Sequence, residues 1–435
     1  MGTINNSFIK STKLASYRNG ILHSVMKLAR QKSDPNSINF GVFPCNSTKL
    51  NGEKYEGRSS GCGYKIDDAY MGTVGETIER YCPAFYKLDT MVKSAHKDLK
   101  ENAIRPREFA LFHDRQYEFF KEQGYNVHPF SESLELYWDK CLDITNGAET
   151  LVPSAFIYLP WTIEDKWIVS GTSTGLAAHT NYYKAMLTAL YEIIERDSFV
   201  LTWHQKIVPP KIIITKEIQD FIDHIFPSKY EFHFFDMTYD IDVPSILGFC
   251  FGESEYGKFV AVGTATRWSY KEALEKVILE ISQSVPYFRY MLGERAGWTP
   301  DEDYNKLLSF EDHSIFYLKK PELQFVFDDW KKSVATKYID FSAYTDSDKP
   351  KDKIKNIALK LKEKGYNVFV KDITTPDANQ IGFYCLRVIV PQLLQMGGAY
   401  PLYFLGGSRL YDVPKIMGYK SYSYDDLNKY PHPFP

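Results

Sequence analysis

The sequence predicts an α+β fold, a mixed body in which helices pack on antiparallel and mixed sheets. Three observations lead there. Strand-like and helix-like stretches follow one another without strict alternation, which argues against a doubly wound sheet. Two short segments recur in matching local contexts: "GETIERYCPAF" (75–85) echoes "YEIIERDSFV" (191–200), and "FFDMT" (234–238) echoes "VKDIT" (370–374). These echoes predict internal pseudo-symmetry. No low-complexity tract or obvious linker divides the 435 residues, so a single domain is expected, with a lead-in over 1–50, a body over 51–430 and a proline tail over 431–435.

The elements are read in order. "NGILHSVMKLARQK" (19–32) reads as a helix. "RSSGCGYKIDDA" (58–69) reads as a glycine-rich turn. It leads into a helix over "AYMGTVGETIERYCPAFY", where Ala69, Val74, Ile78 and Tyr81 fall at helical spacing. Residues 100–150 look looser, and "VPSAFIYLPW" (152–161) reads as a strand stopped by proline. "WIVSGTSTGLAAHT" (167–180) reads as a strand and a small-residue turn, followed by a long helix over 181–204. "KIIIT" (211–215) is strand-like, 231–252 reads as two strands around a turn, and "KFVAVGTATRW" (258–268) as another strand. A helix over 269–292 opens on Ser269 as N-cap. Residues 300–350 are polar and expected to be looped. A helix, a glycine stop and a strand follow over 352–375, and "GFYCLRVIVPQLL" (382–394) is a last strand bounded by Pro391.

Composition excludes several classes. A net charge of −3 gives no overall basic character for nucleic acid. No stretch of about 20 apolar residues exists to span a membrane. The first residues form no signal peptide, so a cytoplasmic location is expected. Six cysteines lack any C-x-x-C pair and ten histidines lack H-x-H or H-x-x-x-H spacing, so neither a disulfide frame nor a zinc site is expected.

Chemistry enters with the acids. Glu76 and Glu79 stand three apart, followed by Arg80; Glu192 and Glu195 repeat the spacing, followed by Arg196. Positions i and i+3 share a helix face, where like charges repel. One such pair reads most simply as a solvated face. Here, however, the pairs sit in otherwise apolar helices, and a third helix adds Glu280 and Gln283 at the same spacing. Buried carboxylates need cations. Oxygen ligands without His or Cys select Mg²⁺ or Ca²⁺, and arginine meets phosphate directly. The turns "SSGCG" and "SGTSTG", with Ser60, Gly63 and Ser173, offer backbone N–H groups to anions. An ATP–Mg²⁺ site is the expectation. No G-x-x-x-x-G-K-[ST] occurs, which excludes a P-loop.

"SSGCGYKIDDAYMGTVGETIERY", "STGLAAHTNYYKAMLTALYEIIERD", "GTATRWSYKEALEKVILEISQ", "GFYCLRVIVPQL" and "YFLGGSRL" occur in the order typical of YcaO proteins, and the chain resembles that family from about residue 50 onward. The resemblance implies a YcaO-type body with an ATP site in which acids hold Mg²⁺ around the triphosphate. Glu76, Glu79, Glu192, Glu195 and Glu280 match its metal- or nucleotide-facing positions; Arg80, Arg196 and Gln283 match the accompanying polar ones. The chain departs from the family pattern at Cys62, where Lys is frequent, at Thr174, His179 and Val285. A basic residue, Arg289, lies one turn beyond Val285.

The sequence closes on "PHPFP", with Pro431, Pro433 and Pro435. Each proline fixes φ and lacks an N–H, so the segment is a stiff extended rod. YcaO members that make azolines end in P-x-P-x-P, whereas thioamide- and macroamidine-forming branches usually lack it. The resemblance therefore implies an azoline-forming cyclodehydratase of the thiazole/oxazole-modified microcin type. In that reaction Cys, Ser or Thr of a ribosomally made precursor peptide attacks the preceding amide, whose oxygen is phosphorylated by ATP and leaves. The carboxylate of Pro435 is the expected proton acceptor and His432 a second candidate. Two alternatives are a thioamide synthetase and a non-catalytic scaffold that offers its proline tail to a partner. The motifs begin about 60 residues in, so a separate leader-binding partner of ubiquitin-activating-like type is expected. A flavin dehydrogenase and a homodimer are further possible partners on the family's pattern.

Overall fold

The computed structural model describes residues 6–18, 20–54, 58–227, 229–342 and 349–434. After helix α1 (Asn6–Thr12) come strands β1 (Leu22–Lys27), β2 (Ile38–Pro44) and β3 (Ser59–Gly63), an antiparallel sheet covered by α2 (Ile66–Tyr81). Two expectations fail here. The helix read over 19–32 is β1, paired Val25 to Val42 and Lys27 to Phe40. Ile21, Leu22, Val25 and Met26 fit either period, and the partner strand decides between them. "SSGCG" is β3 rather than a turn. Its glycines serve close packing: a Cβ on Gly61 would strike Thr73 Oγ1, and one on Gly63 would lie 2.7 Å from Ala69 N. Only bare backbone lets α2 lie this near the strand.

The middle of the chain supplies β4 (Val92–Ala95), α3 (Asp114–Gln123), β5 (Glu135–Asp143), β6 (Ala148–Pro153), β7 (Leu176–His179) and α4 (Tyr182–His204). The looser reading of 100–150 missed α3, whose His113 cap and Gln116 form a capping box and whose C-cap is Gly124. The strand read over 152–161 ends at Pro153 and gives way to a 3-10 turn, Ser154–Phe156. The strand read before "SGTSTG" lies after it, as β7, because Gly175 at φ 86° turns the chain into the sheet.

Next come β8 (Lys211–Ile212), α5 (Lys216–Ile225), β9 (Glu231–Asp236), β10 (Ser245–Ser254), β11 (Gly257–Thr266) and α6 (Tyr270–Glu294), with Ser269 capping α6 as expected. Residues 300–350 are not simply looped: they hold α7 (Phe310–Lys319), α8 (Asp328–Lys332) and β12 (Ala335–Lys337). Phe316, Tyr317, Phe327 and Trp330 bury there, spaced too irregularly among charges to give a clear period. The chain finishes with α9 (Pro350–Glu363), β13 (Phe369–Asp372), α10 (Pro376–Gln380), β14 (Tyr384–Ile389) and α11 (Arg409–Ile416).

Two larger sheets complete the fold, in the orders β11-β10-β9-β8-β12 and β4-β5-β13-β14-β7, with β6 beside β5. All pairings are antiparallel except β8–β12, which matches the α+β expectation. The pseudo-symmetry is also present. In both "FFDMT" and "VKDIT" the strand ends on an aspartate, and its Oδ1 accepts the N–H two residues on, Thr238 at 3.1 Å and Thr374 at 3.0 Å. Each strand then pairs with its successor, β9 with β10 and β13 with β14. Helix α4 bridges the two larger sheets, packing on β7, β14 and β11. No helix among the described residues is long and apolar enough to cross a membrane.

Candidate active site

Three strand–helix units share one latch. Glu76 Oε2 on α2 accepts the Ser60 N–H at 2.8 Å, Glu192 Oε2 on α4 accepts the Gly175 N–H at 2.9 Å, and Glu280 Oε2 on α6 accepts the Thr264 N–H at 3.2 Å. Donor and acceptor stand 16, 17 and 16 residues apart. Each glutamate thus commits one oxygen to the chain that precedes its helix and turns the other to a cation one helical turn away. Those pairs are Glu76–Arg80 at 3.8 Å, Glu192–Arg196 at 3.5 Å and Glu280–Lys276 at 3.3 Å. Lys276 escaped the sequence reading because it precedes its glutamate where the two arginines follow theirs.

Cross-bonds join the units. Gln283 Nε2 donates to Ser60 Oγ at 2.9 Å, tying α6 to β3. Glu195 accepts the Thr264 hydroxyl at 2.7 Å and the Thr266 N–H at 3.3 Å, tying α4 to β11. Glu79 pairs with Arg80 at 2.9 Å. The five glutamates named from the sequence therefore gather where α2, α4 and α6 meet.

Their electrostatics record the crowding. Burial pushes the Glu79 carboxyl up to about 8; Arg80 opposes this, while Glu192 and Glu76 add to it. Burial and the charge of Glu280 raise Glu195 to about 7, against Arg196, Arg267 and the Thr264 hydroxyl. Glu76 is raised by burial as well, with Arg80 and the Ser60 N–H pulling back. Among the described residues no three His, Cys, Asp or Glu side chains converge as a ready metal cage. The donors come instead as carboxylate pairs that suppress one another's ionisation. That set of hard oxygens suits a divalent cation whose remaining ligands come from phosphate. Arg196 Nε is buried and has no hydrogen-bond partner among the described residues.

In the small-residue segments, the N–H groups of Ser60 and Gly175 are taken by Glu76 and Glu192. Gly63 packs under Ala69. Ser173 is half-buried, and its carbonyl accepts the Leu176 N–H. Arg387, buried on β14 and absent from the sequence reading, holds this segment. It donates to the carbonyls of Ile157, Thr174 and Thr172 at 3.0, 2.8 and 2.9 Å. Its pKa falls to about 10 through burial, with Glu192 opposing. The fully buried Asp197, next to Arg196, pairs with Arg409 of "GGSRL" at 2.7 Å, and Asp240 meets the same guanidinium at 2.7 Å. This trio pins α4 to α11. Of the positions that depart from the family pattern, Cys62 Sγ lies 3.8 Å from the Leu279 carbonyl and from Ser282 Oγ on α6, and Thr174 gives its carbonyl to Arg387. His179 Nδ1 accepts the Asn181 N–H at 2.9 Å, and Val285 is half-buried on α6. Arg289 is engaged with Asp34 at 2.8 Å.

The proline tail is docked, not frayed: Pro431, His432, Pro433 and Phe434 are all buried, and Pro435 lies outside the described residues. It climbs α4 from its C-terminal end. Trp203 Nε1 donates to the Tyr430 carbonyl at 3.0 Å, Tyr317 hydroxyl to the Pro431 carbonyl at 2.7 Å, and Phe434 packs edge-on against Phe199 at 5.3 Å. The tail reaches Arg196, whose guanidinium carbon stands 4.0 Å from the centre of the Phe434 ring. The lengths agree: four extended residues span about 12 Å, and the helix from Trp203 to Arg196 rises about 10 Å. His432 does not fit the proton-acceptor role proposed for it. Its ring stacks on His313 at 4.0 Å, its Nε2 lies 3.0 Å from the Gly397 carbonyl, and burial drives its pKa down to about 3. A ring so enclosed anchors the tail instead.

The chain matches a family profile described as YcaO cyclodehydratase, ATP- and Mg²⁺-binding, over residues 60–394. No curated protein matches it. Among solved structures, a heterocyclase in complex with substrate and cofactor is similar over 98% of this chain and 57% of its own, at 20% identity and a TM-score of 0.77. The chain thus spans little more than half of that protein. YcaO from Methanopyrus kandleri, bound with AMPPCP and Mg²⁺, is similar over 89% of each chain at 15% identity and a TM-score of 0.60. The E. coli microcin synthetase McbBCD complex with pro-MccB17 bound is similar over 97% of this chain and 99% of that one, at 14% identity and a TM-score of 0.60.

Proposed function

The chain belongs to the YcaO family of ATP- and Mg²⁺-binding cyclodehydratases, and we propose that it converts Cys, Ser or Thr of a ribosomally made peptide to thiazoline or oxazoline. The docked tail carries this reading over thioamide synthesis, because Phe434 meets Arg196 one turn from Glu192. ATP with Mg²⁺ supplies the phosphoryl group that turns the amide oxygen into a leaving group. Glu76, Glu79, Glu192, Glu195 and Glu280 hold the metal ions, and Arg80 and Arg196 take phosphate oxygens. Lys276 screens Glu280 and Glu76. The packed tail keeps water from the reacting amide and fixes the peptide's approach.

The partners are proposed with the reaction: a precursor peptide, a separate ubiquitin-activating-like protein that presents it, a flavin dehydrogenase where azolines become azoles, and a second copy of the chain. The resemblance to a microcin synthetase complex bound to a pro-peptide supports an assembly of this kind.

The test is mass spectrometry of Cys-, Ser- and Thr-containing peptides incubated with the protein, ATP and Mg²⁺. Loss of one water per ring is expected, and removal of residues 433–435 is expected to abolish it. In a parallel incubation with added sulfide, exchange of oxygen for sulfur would establish a thioamide synthetase instead. Full activity after truncation would remove the tail from the mechanism. An inert protein whose melting temperature ignores nucleotide and Mg²⁺ would point to the scaffold reading.

A further inference from the structure

Arg196 is a planar cation with little to hold its plane. Its Nη2 stands 3.5 Å from Glu192, longer than a tight ion pair, and among the described residues its Nη1 meets only the Met396 sulfur, at 4.0 Å. Its Nε has no partner among the described residues. What does meet it squarely is the Phe434 ring, at 4.0 Å. That ring is fixed in turn by Phe199 below it and by the anchored prolines before it.

We infer that Phe434 is a positioning residue: its ring face sets the orientation of the Arg196 guanidinium beside Glu192, so that an N–H edge of the arginine is turned to phosphate when nucleotide binds. The inference rests on the reading of Arg196 as a nucleotide-facing residue. The physics is a competition. An arginine four residues after a glutamate on one helix can fold onto it, and a closed pair would occupy both groups. A guanidinium stacked over the face of a ring lies parallel to it, and its N–H groups then point outward along that plane. Among the described residues, the contact between the tail and Arg196 is this cation–ring contact.

The experiment replaces Phe434 in the full chain by phenylalanine carrying one, two and three ring fluorines, which preserves shape while draining the ring's negative face. Binding of a non-hydrolysable ATP analogue with Mg²⁺ is measured by calorimetry and melting temperature is followed in parallel. Affinity is expected to fall with each fluorine at constant melting temperature, reaching roughly fivefold in Phe434→Leu. Phe434→Trp is expected to bind at least as tightly as the parent. Arg196→Met is expected to bind weakly and to ignore fluorination, the mark of a coupled pair. Affinity that ignores fluorination while Arg196→Met loses binding would overturn the positioning role and leave the nucleotide site standing. Unimpaired binding by Arg196→Met would overturn both. A Phe434→Leu variant that fails to fold leaves the fluorinated series, whose shape is unchanged, to decide.

Discussion

Adding Mg²⁺ and ATP at pH 7 is expected to drive protons off the protein. An ordinary glutamate titrates near 4.5, while Glu79 and Glu195 are pushed to about 8 and about 7. Glu79 faces Arg80, Glu192, Glu76 and Arg387; Glu195 faces Glu280, Arg196, Arg267 and the Thr264 hydroxyl. Both groups carry protons at pH 7, so metal binding to both displaces protons, fewer at pH 8 than at pH 7. Apparent Mg²⁺ affinity therefore rises with pH across this window. Stability of the nucleotide-free protein runs the other way. A carboxyl raised by folding contributes stability that is complete below its unfolded value near 4.5 and is lost as pH rises through the folded value. The two groups are 17% and 7% exposed, so solvent screens them little. At about 1.4 kcal/mol per pH unit and group, the loss from pH 6 to pH 8 is on the order of 3 kcal/mol. Calorimetric titration of Mg²⁺ and ATP in buffers of different ionisation heat reads the protons directly, and Glu79→Gln should remove most of them at pH 7. Heats that are independent of buffer at pH 7 would refute the reasoning.

Four further outcomes follow from the same structure. Glu192→Gln is expected to keep the bond to the Gly175 N–H but lose nucleotide-dependent stabilisation, whereas Glu192→Ala loses both and costs a further ~1–2 kcal/mol in denaturant titration. Arg387→Met strips one buried and two half-buried carbonyls of their donor and is expected to destabilise by about 3 kcal/mol, with faster hydrogen exchange across 172–176. Gly61→Ala forces α2 off β3 and should lower stability by about 1–3 kcal/mol, read from the melting curve. Acid should undock the tail: burial lowers His204 to about 4 and His432 to about 3, so their stability is present above the ordinary value near 6.5 and is lost as pH falls toward those values. Trp203, bonded to the Tyr430 carbonyl, reports that release by fluorescence, and His432→Gln should shift its midpoint to lower pH.

What the sequence made legible and what it hid divide along physical lines. Helices α4 and α6 were readable because long apolar faces and an N-cap at Ser269 act locally. The glutamates were readable because charge is conspicuous in such helices. β1 was not, since its apolar residues satisfy two periods and only the strand across the sheet chooses. "SSGCG" read as a turn because its glycines suggest loose backbone, yet they are there for the helix lying on them. The stretch over 300–350 hid its aromatics among charges. Arg387 stood unmarked in an apolar strand because the three carbonyls it serves lie more than two hundred residues earlier. Phe434 went unread for the same reason: a phenylalanine between prolines says nothing about an arginine 238 positions before it, and only the docked tail brings them together.

The three latches carry a consequence of their own. An acid reserved for metal binding would ordinarily be a liability in the apo protein, where a buried carboxylate lacks a partner. Here one oxygen of Glu76, Glu192 and Glu280 is spent on the strand or turn that precedes the helix, so each acid is part of the fold before any ligand arrives. Two of the partners of those bonds, Ser60 and Thr264, are joined across units by Gln283 and Glu195. On the proposed assignment, a metal ion that drew on the second oxygens would tighten three strand–helix contacts at once and share its binding energy with the packing of α2, α4 and α6. Among the described residues, the tail enters this arrangement at Arg196, which stands beside the Glu192 latch and beneath the Phe434 ring. On the proposed reading of Arg196 as a phosphate-facing residue, a change in nucleotide binding or in tail docking is felt at the other through that guanidinium.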